Sequence, residues 1–232
     1  MILSPKIKFT KDTYLFDARL EAAELVLFED CIGKQINGLR LEQLSLPYPF
    51  ENYFSSIGRC CIPFVAPNVP TINICLASQH KEYYGPIVDQ GALKIQKVVT
   101  EIKNNTRERL LLPPHSIDPS FNVDITYFTN SPVSSIRFYG AEDLFNLRDD
   151  TDYTTEDLKK YGFEVFPQIE CYSIEFIVLE HEDGKFAIIS LDHNGFFYRV
   201  DLQGPLTKEL MLDSYIKVNG YEKKIVLHHE IN

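Results

Sequence analysis

The side chains best suited to chemistry are five cysteines and six histidines, and their spacing forms no known metal or nucleophile motif. No His-Glu-x-x-His and no paired Cys-x-x-Cys occurs, although zinc sites typically use such spacings. The chain also lacks Gly-x-Ser-x-Gly and the glycine-rich loops that bind phosphates or dinucleotides. The sequence therefore predicts no metal site, no cofactor and no catalytic residue of a recognised type.

A nucleophilic site assembled from distant residues is the alternative. Cys31, Cys60 or Cys171 could meet His193 in space, and Asp192 precedes that histidine. Packing thiols are the favoured interpretation, since a cysteine at a strand entry usually acts as a small apolar residue. The odd count fits no disulfide framework, and adjacent Cys60 and Cys61 cannot readily bridge each other, so we expect free thiols in a reducing compartment.

Carboxylates are concentrated between residues 142 and 157, where Arg148 is the lone cation. The segment lacks the glycine and terminal glutamate of an EF-hand loop, so a calcium site is not predicted. A solvated acidic loop is one interpretation, and a docking surface for a basic partner protein is the other. The partner-binding candidates are Glu142, Asp143, Asp149, Asp150, Asp152, Glu156 and Asp157.

Aromatic residues in a loop are a second recognition candidate. Tyr83 and Tyr84 stand directly before Gly85-Pro86, and exposed aromatic side chains often anchor interfaces. The alternative is a small apolar cluster packed under a loop.

The composition limits the kinds of binding partner and the cellular compartment that we expect. The 232 residues carry a net charge of −10, which disfavours a phosphate-binding surface and so predicts no nucleic-acid partner. No run of about 18 apolar residues occurs, so we expect no membrane span. The first residues lack the apolar run of a signal peptide, so the cytoplasm is the expected location.

Short strands and turns are the elements expected to position these residues. Residues 171–202 are typical of three strands joined by Asp183-Gly184 and Asn194-Gly195, dipeptides that favour hairpin turns. The first two of these strands are apolar on both faces, so we expect both faces to be covered. A second hairpin is predicted around Asn219-Gly220, and a short strand at residues 71–77.

Helices are predicted at several places between these strands. The helical segments are expected after Asp17, at residues 50–57, 92–105, 141–147, 155–161 (with Gly162 at its end) and 205–212. Together the elements predict an α+β fold, a mainly antiparallel sheet with a C-terminal meander and hairpin and a few helices packed on it. One domain over residues 1–232 is expected, and a split near 112–116, around Pro113-Pro114, is the alternative.

One fragment resembles a known family. Leu46-Pro47-Tyr48, the segment Phe50-Glu51-Asn52-Tyr53-Phe54 and Gly58 are similar to a segment of SMI1/KNR4-like (SUKH) immunity domains. The likeness covers about a dozen residues, lacks the usual glycine pair of that family and carries an extra Pro49. It implies an intracellular α+β protein that binds and neutralises a toxin.

These observations favour a non-enzymatic, intracellular protein-binding protein of inhibitor or immunity type that presents an acidic surface to its partner. A structural or assembly subunit, of phage or secretion machinery, is one alternative. A hydrolase or transferase with a site assembled from distant residues is the other. Self-association into a homo-oligomer stays open.

Overall fold

The protein is built mainly from β-strands, as its computed structural model shows. The structure describes residues 6–10, 12–44, 53–80, 91–100, 123–125, 130–146, 154–160, 162–192, 199–207 and 225–232. Over these residues it contains thirteen strands and two short helices, so the predicted α+β fold with several packed helices is wrong.

The elements follow one another in a simple order. The first seven strands and the first helix are β1 (Lys6–Phe9), β2 (Thr13–Asp17), α1 (Ala22–Glu29), β3 (Gln35–Ile36), β4 (Leu39–Leu44), β5 (Tyr53–Val65), β6 (Thr71–His80) and β7 (Gly91–Thr100). The remainder are β8 (Val123–Ile125), β9 (Val133–Asn146), α2 (Thr155–Lys160), β10 (Gln168–His181), β11 (Phe186–Asp192), β12 (Arg199–Leu206) and β13 (Ile225–Ile231).

All thirteen strands join one hydrogen-bonded network, in which two long strands change partners along their length. β10 begins parallel to β2 and continues antiparallel to β11, while β9 runs antiparallel along its other edge. β5 pairs first with β12 and then with β6, both antiparallel. The pair β11–β12 connects the two halves of the sheet.

The two halves of the sheet share one apolar core. Ile62 of β5 and Ile74 of β6 belong to the same buried cluster as Phe138 of β9 and Ile177 of β10. Helix α1 closes this core with Phe28, whose ring meets Phe138 edge-on at 5.0 Å between centroids. Full burial of such a side chain contributes about 1.5–3 kcal/mol, so this contact holds α1 on the sheet. The single domain stays a prediction, because residues 112–116 lie outside the described part.

The predicted meander is confirmed. β10, β11 and β12 are consecutive antiparallel strands, and Gly184 adopts φ +77° in the turn between the first two. Ile177 and Ile189 face the main core, while Phe176 and Val178, which point the other way, belong to a second buried cluster. Both faces of these strands are therefore covered, as their sequence predicts. Asn194-Gly195 and Asn219-Gly220 lie outside the described residues.

Several predicted helices are strands. Residues 92–100 belong to β7, which pairs with β6 over ten consecutive positions. Residues 53–57 belong to β5, residues 141–146 form the second half of β9, and residues 205–206 end β12. Residues 61–65 are also part of β5.

The reason for these errors is that apolar residues three and four apart also occur in β-rich sequences. Val98, Val99 and Thr100 are β-branched, which favours a strand once a partner strand is present. The partner strand of residues 141–146 is β10, more than twenty residues away in the sequence, so no local pattern reveals it.

Two of the predicted helices are confirmed. α1 begins at Ala22, five residues after Asp17, and α2 covers Thr155–Lys160 and is followed by Gly162 at φ +86°. In the described residues no helix has the length and apolar character needed to cross a membrane.

Candidate functional site

The first residues of β10 bring together acidic positions from distant parts of the chain. Tyr172 lies opposite Glu142 of β9 on one side and opposite Asp17 of β2 on the other. Asp143 lies opposite Cys171 in the same register. Residues 17 and 142 therefore occupy the two strands that flank β10. We call this region, Asp17, Glu142, Asp143 and Tyr172, the acidic end of the sheet.

Arg19 contacts both Asp17 and Tyr172 at this end, and we call these contacts the arginine clamp. Arg19 donates two hydrogen bonds to the carboxylate of Asp17, from Nε to Oδ1 at 2.9 Å and from Nη2 to Oδ2 at 2.7 Å. Its guanidinium lies 4.4 Å from the centroid of the Tyr172 ring, a cation–π contact. The backbone N–H of Ala18 also donates to the carbonyl of Tyr172 at 2.8 Å. The charge of Arg19 is therefore neutralised locally, and the clamp fixes the loop that leads into α1.

Helix α1 adds two more carboxylates close in sequence to the clamp. The backbone N–H of Glu21 donates to Oε2 of Glu24 at 2.9 Å, which is half of a capping box. Both glutamates are half-buried. Their position at the helix N-terminus is electrostatically favourable, because unpaired backbone N–H groups carry partial positive charge there. These carboxylates thus stabilise α1 as well as adding negative charge.

Helix α2 presents an exposed carboxylate just before β10 begins. Leu158 is fully buried, and the backbone N–H of Phe163 donates to its carbonyl, so the helix is anchored on one side. Glu156 is exposed on α2. Asp157 also belongs to α2. The connection from α2 to Gln168 is only seven residues long, residues 161–167.

The structure describes only some of the predicted partner-binding residues. Glu142 and Asp143 belong to β9 rather than to a helix, and Glu156 and Asp157 belong to α2. The remaining candidates, Asp149, Asp150, Asp152, Tyr83 and Tyr84, lie outside the described residues.

Sequence reasoning missed Asp17, Arg19 and Tyr172. Their association depends on the parallel pairing of β2 with β10, two strands about 150 residues apart in the chain. No local signal marks such a pairing, because parallel neighbours are joined through other elements rather than a tight turn.

The predicted alternative nucleophilic site lies partly outside the described residues. Cys171 lies within β10 and Asp192 is the last residue of β11, while His193 lies outside the described residues. Among the residues that are described, no group of three or more His, Cys, Asp or Glu side chains is arranged to hold a metal ion.

The opposite end of β10 carries a different set of polar groups. Arg137 and Glu180 form an ion pair at 2.6 Å, and the buried His181 makes a 2.9 Å hydrogen bond through Nδ1 with the carbonyl of Ser131. Beyond them Glu182 is exposed in the turn to β11. At about 3.3 Å per residue, Glu182 lies roughly 33 Å along the strand from Tyr172, far outside the acidic end.

Comparison with known proteins identifies no relative. No protein family matches this chain, and neither a curated protein nor a solved structure shows significant similarity to it. The likeness of residues 46–58 to SMI1/KNR4-like domains is thus not accompanied by a family match.

Proposed function

We propose that this chain is a non-enzymatic protein-binding protein whose acidic end docks a basic partner protein. The observation that carries the proposal is the strand register at Tyr172, which gathers Asp17 and Glu142 from opposite parts of the chain. Because Arg19 neutralises Asp17, the net negative charge of the acidic end comes from Glu142 and Asp143. Glu156 is an exposed carboxylate of α2, twelve residues before the first residue of β10, and we propose that it belongs to the same docking surface.

Electrostatics support docking over bond-making chemistry at this end. Two of the nearby carboxylates stabilise the fold. Asp17 binds Arg19, and Glu24 accepts a hydrogen bond at the N-terminus of α1. A surface of one sign raises the rate of encounter with an oppositely charged protein and sets its orientation. The net charge of −10 acts in the same direction. The free thiols of the described cysteines are typical of a reducing compartment, so the proposal places the protein in the cytoplasm.

Charge reversal tests this function. The variants are Glu156→Lys and the combined Glu142→Lys/Glu156→Lys, and the control is Glu182→Lys at the far end of β10, which makes the same charge change as Glu156→Lys alone. A partner captured from the native host is first identified, and its association rate is measured by surface plasmon resonance over a range of salt concentrations. We expect the combined variant to associate roughly tenfold more slowly at low salt, with a weaker salt dependence.

The control separates local docking from general charge. Glu182→Lys should associate at nearly the wild-type rate at physiological salt, where roughly 33 Å is about four Debye lengths, and should slow association less than Glu156→Lys at low salt. Equal rates for wild type and the combined variant would refute docking at this end. Concentration-dependent assembly of the purified chain alone, with no captured partner, would favour the structural-subunit alternative instead.

A further inference from the structure

Three side chains with complementary chemistry lie in a row across β4, β5 and β6. Arg40 of β4 is paired with Cys61 of β5, and Cys61 is paired with Cys75 of β6. Neighbouring residues alternate between the two faces of a sheet. Cys60 accordingly belongs to the main apolar core, and Cys61 and Cys75 lie on the opposite face.

The two thiols on this face are in direct contact. The two thiols form a hydrogen bond, with 3.0 Å between the two Sγ atoms. A disulfide bond is about 2.05 Å long, so the sulfur atoms need to move together by only about 1 Å. The Cα atoms of directly opposed residues in antiparallel strands are about 4.5–5.5 Å apart, within the range that a disulfide spans. The backbone therefore already satisfies the main requirement for a bridge.

The two thiols differ in their access to solvent. Cys61 is fully buried, whereas Cys75 is half-buried, so we expect a small reagent to reach Cys75 first. The hydrogen bond with Cys75 and burial together raise the pKa of Cys61 well above its usual range, and Arg40 opposes them only weakly. Cys61 thus stays protonated at rest, so it is not the thiol that reacts first.

We propose that Cys61 and Cys75 form an oxidisable pair that a hydroperoxide converts into a disulfide between β5 and β6. The Cys75 thiol gives up its proton, and its sulfur attacks the outer peroxide oxygen. The O–O bond breaks, the outer oxygen stays on Cys75 as a sulfenic acid, and an alcohol (water, for hydrogen peroxide) leaves with that proton. Cys61 then attacks the sulfenic sulfur of Cys75, the S–O bond breaks, and water leaves with the Cys61 proton. One hydroperoxide is reduced, and two thiols are oxidised to one disulfide.

Hydrogen peroxide and intact mass spectrometry test the pair. The native protein is treated with peroxide, unfolded and alkylated. The oxidised chain should be lighter by two hydrogen masses before alkylation and should take up three alkyl groups, since two of its five thiols are consumed. Peptide mapping should place the bridge between Cys61 and Cys75, and dithiothreitol should restore both thiols.

Single substitutions separate the two roles. Cys60→Ser is the matched control, because it removes the adjacent thiol on the core face, and it should bridge like wild type. Cys75→Ser should form no bridge. Cys61→Ser should leave a sulfenic acid on Cys75, which dimedone traps as a stable adduct. Should Cys61→Ser fail to fold, limited alkylation of native wild type, which modifies the more accessible Cys75 first, should block bridging equally well.

Several outcomes would overturn the proposal. A peroxide-treated chain that keeps all five thiols, a bridge that maps to Cys60, or oxidation of Cys75→Ser at the wild-type rate would each do so. None of these results depends on whether a basic partner binds at the acidic end.

Discussion

The bridge between β5 and β6 should raise the stability of the protein by an amount that follows from its position. Joining residues 61 and 75 closes a loop of about 15 residues in the unfolded chain, for which the loop-closure relation gives about 3 kcal/mol. The native state changes little, because the two sulfur atoms are already 3.0 Å apart. The gain therefore comes mainly from the lower entropy of the unfolded chain.

Thermal unfolding measures this gain. For a chain of 150–250 residues, each kcal/mol shifts the unfolding midpoint by roughly 2–4 °C, so oxidation should raise it by roughly 6–12 °C. Peroxide-treated protein is followed by circular dichroism with and without dithiothreitol. A urea titration at constant temperature provides an independent measure of the free energy of unfolding.

The controls isolate the bridge from other effects of oxidation. Cys60→Ser should show the same shift as wild type, and Cys61→Ser/Cys75→Ser should show none. An oxidised wild type that unfolds at or below the midpoint of the reduced protein would refute the reasoning, because it would mean that bridging strains the sheet by as much as it constrains the unfolded chain.

Three further predictions concern the meander and the core. Burial lowers the pKa of His181 below its usual 6.5, because the folded protein disfavours the charged imidazole. Above about pH 6.5 the imidazole is neutral in both the folded and the unfolded chain, so its protonation costs the folded state nothing there. Stability should then fall as the pH drops from about 6.5 towards the lower folded pKa, with a flatter profile in His181→Gln. Gly184 sits at φ +77° with open space around an added Cβ, so Gly184→Ala should cost about 1 kcal/mol and Gly184→Asn less. Phe138→Ala should cost about 3–5 kcal/mol of unfolding free energy, against about 0.5 or less for Val26→Ala at an exposed position on α1.

Each of these predictions has a clear contrary result. Identical pH profiles for wild type and His181→Gln would show that this imidazole does not drive the acid loss. Equal stability of the Ala and Asn variants at residue 184 would mean that the positive φ is not what the glycine supplies. A loss below about 1 kcal/mol for Phe138→Ala would contradict its place in the shared core.

The meander could be predicted because its signals are local. Asp183-Gly184 favours a turn with positive φ, and the apolar runs on either side of it are too long and too uniform for an exposed strand. A turn and the two strands it connects are neighbours in the chain, so their residues carry most of the information that pairs them. The helix over residues 155–160 was predictable for the same reason, since Gly162 marks its end.

The pairings that build the candidate sites could not be predicted. The acidic end depends on β2 lying parallel to β10, and the thiol pair depends on the register of β5 with β6. A shift of one residue in that register would place Cys75 on the other face from Cys61. Spacing along the chain does not reveal such a register.

The amino-acid sequence alone therefore specifies the composition, the net negative charge, the turn at Gly184 and the short-range strands of the meander. The tertiary structure decided that residues 92–100 and 141–146 are strands, that Glu142 lies across β10 from Asp17, and that Cys61 touches Cys75. The physical reason is that a strand, unlike a helix, completes its backbone hydrogen bonds with a partner elsewhere in the chain. Whether a segment forms a strand, and which residues lie beside it, is therefore decided only when its partner strand is in place.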